Sequence, residues 1–98
     1  MAFVDRIMHI DETVQRSNHL IAAGAWMWLR GEITRGQFET ALELDVSDTA
    51  QLDELVVHYN GLSAEDKGYF FNDFSAYTIA LEQGKITDTF FKARFGLT

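Results

Sequence analysis

The chain has 98 residues, 47% of them hydrophobic and 13% aromatic, with 15 acidic side chains against 8 basic ones for a formal charge of −7. That length supports one domain with a modest core, the aromatic content excludes a disordered tail, and the lack of cysteine excludes disulfides and thiolate metal sites. No proline interrupts the sequence, strand-like alternation is scarce and capped periodic segments follow one another, so the expected class is all-α, a compact bundle of about five helices.

At the start, Asp5, Asp11 and Glu12 stand where a secretion signal would be basic and then apolar, so export is not expected. Phe3, Ile7, Ile10, Val14, Ile21 and Trp28 fall on steps of three and four, broken only at Ser17 and Gly24. One helix from residue 3 to 30 would run about 42 Å, too long for a domain of this size. The expectation is therefore a helix from Asp11, as N-cap, to about Arg30, preceded by an arm of residues 1–10, helical or extended. On this reading 11–98 is the domain, and Phe3, Val4, Ile7 and Ile10 pack on a neighbouring molecule. The longest uncharged run, Ser17 to Leu29, is 13 residues, short of the roughly 20 a membrane-spanning helix needs.

Within that helix Ala22, Ala23, Gly24 and Ala25 permit close approach to a second helix, the one carrying Phe70, Phe74 and Tyr77. Trp26 and Trp28 lie about 200° apart on a helical wheel, so both cannot face one core. Either one ring is half-buried at the domain edge or it is a surface anchor for a partner, with Trp26 the candidate.

The segment Gly31-Glu32-Ile33-Thr34-Arg35-Gly36-Gln37-Phe38 returns fifty-three positions later as Gly84-Lys85-Ile86-Thr87-Asp88-Thr89-Phe90-Phe91. In each copy Gly can end a helix in left-handed geometry, Thr can cap the next, and Ile with the following Phe makes a hydrophobic staple. Gln37 adds a capping-box partner for Thr34, whereas Phe90 stands in that place in the second copy. A helix–Gly-x-Ile-Thr–short helix joint is thus used twice, with short helices expected over 35–43 and 88–95. Between them, Ser47 and Ser63 are N-cap candidates for two further helices. The first has a core stripe of Leu52, Leu55, Val56 and Tyr59 and ends at Asn60-Gly61, the residues most tolerant of left-handed geometry. The second is loaded with aromatics from Tyr69 to Tyr77.

Charge is concentrated between Gly36 and Asp66, where eight acids (Glu39, Glu43, Asp45, Asp48, Asp53, Glu54, Glu65, Asp66) occur without a Lys or Arg. Such a stretch repels phosphate backbones, so nucleic acid is not an expected partner. It is either a solvated face or a docking surface for a basic partner, in which Glu39, Glu43, Asp48, Asp53 and Glu54 are the candidate contacts.

Chemistry finds little support. Gly-x-Ile-Thr matches the second half of a calcium-binding EF-hand loop, but the early ligand positions hold Trp26, Trp28 and Arg30, or Ile79, Leu81 and Gln83, and the closing Glu is replaced by Gln37 or Phe90. His9, His19 and His58 have no ligand spacing, the Ser and Thr residues fall at helix starts, and no nucleophile or phosphate-loop motif is present. No catalytic residue, metal or cofactor is expected. A helix-turn-helix reader would need base-reading side chains on its second helix; after the first joint that helix opens the acidic stretch, and after the second it carries Lys85, Lys92 and Arg94 but is only about two turns long.

The runs Trp28-Leu29-Arg30-Gly31-Glu32-Ile33-Thr34, Phe38-x-x-Ala41-Leu42-x-Leu44, Ala50-Gln51-Leu52-Asp53-x-Leu55 with Tyr59 and Leu62, and Gly84-x-Ile86-Thr87 with Phe91-Lys92-Ala93-Arg94-Phe95-Gly96-Leu97 resemble small helical proteins encoded among the structural genes of tailed bacteriophages. The resemblance spans residues 28 to 97. It implies a virion or assembly protein of the neck, tail or baseplate, whose partners are other virion proteins or further copies of itself and whose place is the particle or the host cytoplasm during assembly. The alternative is a small acidic regulator that covers a basic surface of another protein.

Overall fold

A computed structural model of the chain describes residues 3–8, 17–42 and 50–98, through which run α1 (Phe3–Met8), α2 (Ser17–Leu29), α3 (Arg35–Leu42), α4 (Ala50–Asn60), α5 (Ala64–Glu82) and α6 (Asp88–Phe95). These residues contain no strand, and the fold is the all-α bundle expected. The expected caps Asp11 and Ser47, together with Ile10, Glu43 and Asp48, lie outside the described residues.

Both joints form as the repeat requires. Gly31 and Gly84 take left-handed backbone angles, φ 81° and 71°, and close α2 and α5 with the same pair of hydrogen bonds. The Gly31 N–H donates to the Trp28 carbonyl at 2.9 Å and the Glu32 N–H to Met27 at 2.8 Å; the Gly84 N–H donates to Leu81 at 3.1 Å and the Lys85 N–H to Ala80 at 2.9 Å. This pairing consumes carbonyls that a helix end would otherwise leave open. Three residues on, Thr34 Oγ1 accepts from the Gln37 N–H at 3.1 Å while the Thr34 N–H donates to Gln37 Oε1 at 2.8 Å, a reciprocal capping box. Thr87 Oγ1 accepts from the Phe90 N–H at 3.1 Å without a return bond from the side chain. Ile33 and Ile86 pack against the core that holds Phe38 and Phe91. The chain ends on a third copy of the helix stop: Gly96 has φ 70° and the Leu97 N–H donates to the Lys92 carbonyl at 2.8 Å.

Two expectations need correction. Residues 3–8 are not an arm: Phe3, Val4 and Ile7 are completely or almost completely buried in the core of their own domain, where α1 packs on α5 and α4. The segment has more apolar surface than it can bury on itself, and the far helices supply the other side. The Phe3 ring lies parallel to Phe74 at 6.2 Å and edge-on to Phe38 at 6.1 Å. The buried start of α1 is satisfied by a remote side chain. Val4 N–H donates to Gln51 Oε1 at 2.9 Å, and Gln51 Nε2 donates to the Thr98 carbonyl at 3.0 Å, so one amide ties both ends of the chain to α4. The second correction concerns the end of α4. Gly61 is not left-handed; its N–H donates to the Val57 and His58 carbonyls at 3.1 and 3.2 Å, and Leu62 N–H donates to Tyr59 at 3.1 Å, a tightened last turn.

The remaining packing follows the helical faces. α2 lies along α5 in the most extensive helix pair, with Ala22 and Ala25 fully buried. Gly24 serves a different neighbour from the one expected, since a Cβ there would come within 3.1 Å of Phe38 Cδ1 in α3. Leu52, Leu55 and Tyr59 of α4, Phe70, Phe74 and Leu81 of α5, and Phe91 and Phe95 of α6 complete the core. At the start of α5, Ser63 Oγ accepts from the Asp66 N–H at 3.1 Å, as the sequence predicts.

Phe3→Ala should lower the unfolding free energy of dilute, isolated protein by about 3–5 kcal/mol in a urea titration, because it empties a ring-sized volume in the core; unchanged stability would return α1 to the status of an arm. Gly84→Ala meets no atom within 4 Å of the added carbon, so its cost should be the left-handed backbone alone, about 1–2 kcal/mol by the same titration.

Candidate functional site

Steps of three and four place Asp66, Tyr69, Asp73 and Tyr77 along one face of α5, and Phe90 and Arg94 occupy adjacent turns of α6. The two rows meet. Tyr77 stacks on Phe90 at 6.1 Å, and the Arg94 guanidinium lies 5.4 Å from the Tyr77 ring centre and pairs with the Asp73 carboxylate. Arg94 is thereby fixed against an aromatic face and a carboxylate at once, which suits its planar fork. Outside this pair, Tyr69 is 62% exposed and Phe90 52% exposed.

Beside the seam is a cleft of about 460 Å³ between the C-terminal end of α4, the first half of α5 and Arg94. Leu62 and Phe70 give its lining an apolar part, Asp66, Asp73, Arg94 and His58 a polar part, and Tyr69 both. His58 sits edge-on to Phe95 at 5.7 Å. Burial, followed by the positive charge of Arg94, pushes its pKa below the usual 6.5, and Asp73 only partly opposes them. The imidazole is therefore neutral at pH 7 and the cleft has no net excess of positive charge.

The residues singled out from sequence lie elsewhere and do different work. Phe3, Val4 and Ile7 are core. Trp26 is half-buried rather than free, tilted against Phe71 at 5.3 Å with the Arg30 guanidinium 4.1 Å over its ring; Trp28 is the buried one, stacked on Phe38 at 5.3 Å. Glu39 and Asp53 converge on Arg35, Glu39 at 2.8 Å, in a bridge between α3 and α4. Glu54 accepts from Thr98 Oγ1 at 2.7 Å. Three of the proposed docking acids thus have partners within the chain, while Glu43 and Asp48 are outside the described residues.

The sequence groups Tyr69 with the aromatics that load its helix and shows Phe90 only as the residue in the capping-box place, so neither stands out as exposed. The repeat itself held a signal for Phe90: it occupies the place of Gln37, a capping-box residue that must face solvent to reach back to Thr34. Among the described residues, no three His, Asp or Glu side chains gather as a metal site, and no helix is long and apolar enough to cross a membrane. No protein-family model, curated protein or solved structure matches the chain.

Because the folded state depresses the His58 pKa, the unfolded chain binds a proton that the folded chain resists. Stability should be full above about pH 6.5 and fall as pH drops below it. Thermal melts of wild type and His58→Gln between pH 7.5 and 5.5 should show the variant's profile flatter; parallel profiles would show that His58 does not carry this dependence.

Proposed function

We propose that the chain is a non-catalytic structural protein that works by protein–protein packing, a minor component of a tailed bacteriophage particle at the neck, tail or baseplate. The observation that carries the interaction reading is the α5–α6 seam, where Tyr69 and Phe90 stand exposed, Tyr69 in the cleft it shares with the Arg94–Asp73 pair and Phe90 against the Tyr77 ring that Arg94 also covers. Scattered exposed apolar side chains are ordinary on protein surfaces. Here large rings share the seam with a fixed arginine, the residue types on which interface energy concentrates. The phage setting rests on the resemblance of residues 28 to 97 to small virion proteins, and the partners are accordingly other virion subunits or further copies of the chain. An acidic regulator is less well supported, since Glu39, Asp53 and Glu54 are engaged by Arg35 and Thr98.

Mass spectrometry of purified particles from the phage that encodes the chain should find it at fixed stoichiometry. A Tyr69→Ser/Phe90→Ser variant should keep its helical signal and be incorporated about fivefold less or worse, as expected when interface rings worth about 1 kcal/mol or more are lost. Absence from particles, with salt-sensitive binding to a basic protein instead, would support the regulator and overturn this reading.

A further inference from the structure

Four of the chain's tryptophan and tyrosine rings, two of them buried and two half-buried, lie under the chain's own cations. Arg30 lies 4.1 Å over Trp26, Arg35 6.0 Å over Trp28, Lys67 5.3 Å over Tyr59 and Arg94 5.4 Å over Tyr77. Both tryptophans and two of the three tyrosines are accounted for in this way. Tyr69 is the exception: it is the most exposed of these rings, and no cation among the described residues lies over it. The carboxylates around it are asymmetrically used. Asp73 gives one oxygen, Oδ2, to Arg94 and keeps Oδ1, while the Asp66 side chain has no partner among the described residues. With Arg94 neutralised by Asp73 and His58 uncharged, the cleft presents a ring face, an aliphatic wall at Leu62 and an unpaired carboxylate. An anion would find no open positive charge there.

We propose that the cleft receives a lysine or arginine side chain of a partner protein, with its alkyl stem against Tyr69 and Leu62 and its charge at the Asp66 carboxylate. A long cationic side chain is the ligand whose apolar stem and charged head match the apolar and carboxylate parts of that lining. The net charge of −7 draws such a partner in before contact. The inference rests on the interaction reading above and names the chemistry of the partner's anchor.

Full-length isotope-labelled protein titrated with acetyl-Gly-Leu-Arg-Leu-Gly-amide should show saturable chemical-shift changes centred on Asp66, Tyr69 and Asp73. The same peptide with norleucine in place of arginine should bind more weakly. Asp66→Asn and Tyr69→Ala, both at exposed positions, should each weaken binding roughly two- to fivefold, and Glu65→Gln, which changes the charge equally but does not line the cleft, should not. Equal losses for Glu65→Gln and Asp66→Asn, equal binding of the norleucine peptide, shifts centred elsewhere, or no saturable binding would each overturn the proposal. If particles contain the chain while the peptide ignores the cleft, this inference falls alone; if the peptide binds as described but particles lack the chain, the virion reading falls alone.

Discussion

The ring of Phe74 is the contact on which the other helices depend. It stacks parallel to Phe3 of α1 at 6.2 Å and to Phe70 within α5 at 5.1 Å, and meets Phe91 and Phe95 of α6 at 5.9 and 4.9 Å. From Phe3 the series continues through Phe38 to Trp28, and from Phe70 to Tyr59. A short chain without proline, disulfides or a described metal site thereby joins all six described helices through a continuous set of rings. Offset and edge-on pairs of this kind add to plain burial, which suits a domain with limited apolar area.

Such a core requires each ring to arrive at a set angle, and the duplicated joint provides that. A left-handed glycine stops the long helix, a threonine starts the next one three residues later, and the staple sets the direction in which Phe38 or Phe91 enters. One of the differences between the copies, Gln37 against Phe90, changes what faces outward. In the first copy the position closes a capping box; in the second it leaves a ring beside Tyr77 and Arg94. The same local geometry therefore makes structure in one copy and part of an exposed seam in the other.

Local signals in the sequence were mostly faithful, the left-handed stop expected at Gly61 being the exception. The joints, the Ser63 cap, the ends of α6 and the buried stripe of α4 all depend on residues within one or two turns of each other, and each was legible. What needed distant partners was not. Nothing near Phe3 announces that Gln51 and Phe74 complete its surroundings, and nothing near Glu39, Asp53 or Glu54 announces Arg35 and Thr98. The acids looked one-sided because their partners lie outside the stretch in which they were counted. Of the candidate site, nothing in the sequence joins Arg94 to Asp73, since their pairing across 21 positions is a product of how α5 and α6 pack.

The central claim is that α1 closes the core of its own chain through Phe3 and Phe74. Aromatic nuclear Overhauser contacts measured on dilute protein, with a mixture of labelled and unlabelled chains to separate contacts within a molecule from those between molecules, test it most directly. The expected result is a Phe3–Phe74 contact within one molecule whose strength does not change with concentration. A contact seen only between molecules, or one that fades on dilution while the rest of the domain stays folded, would contradict it.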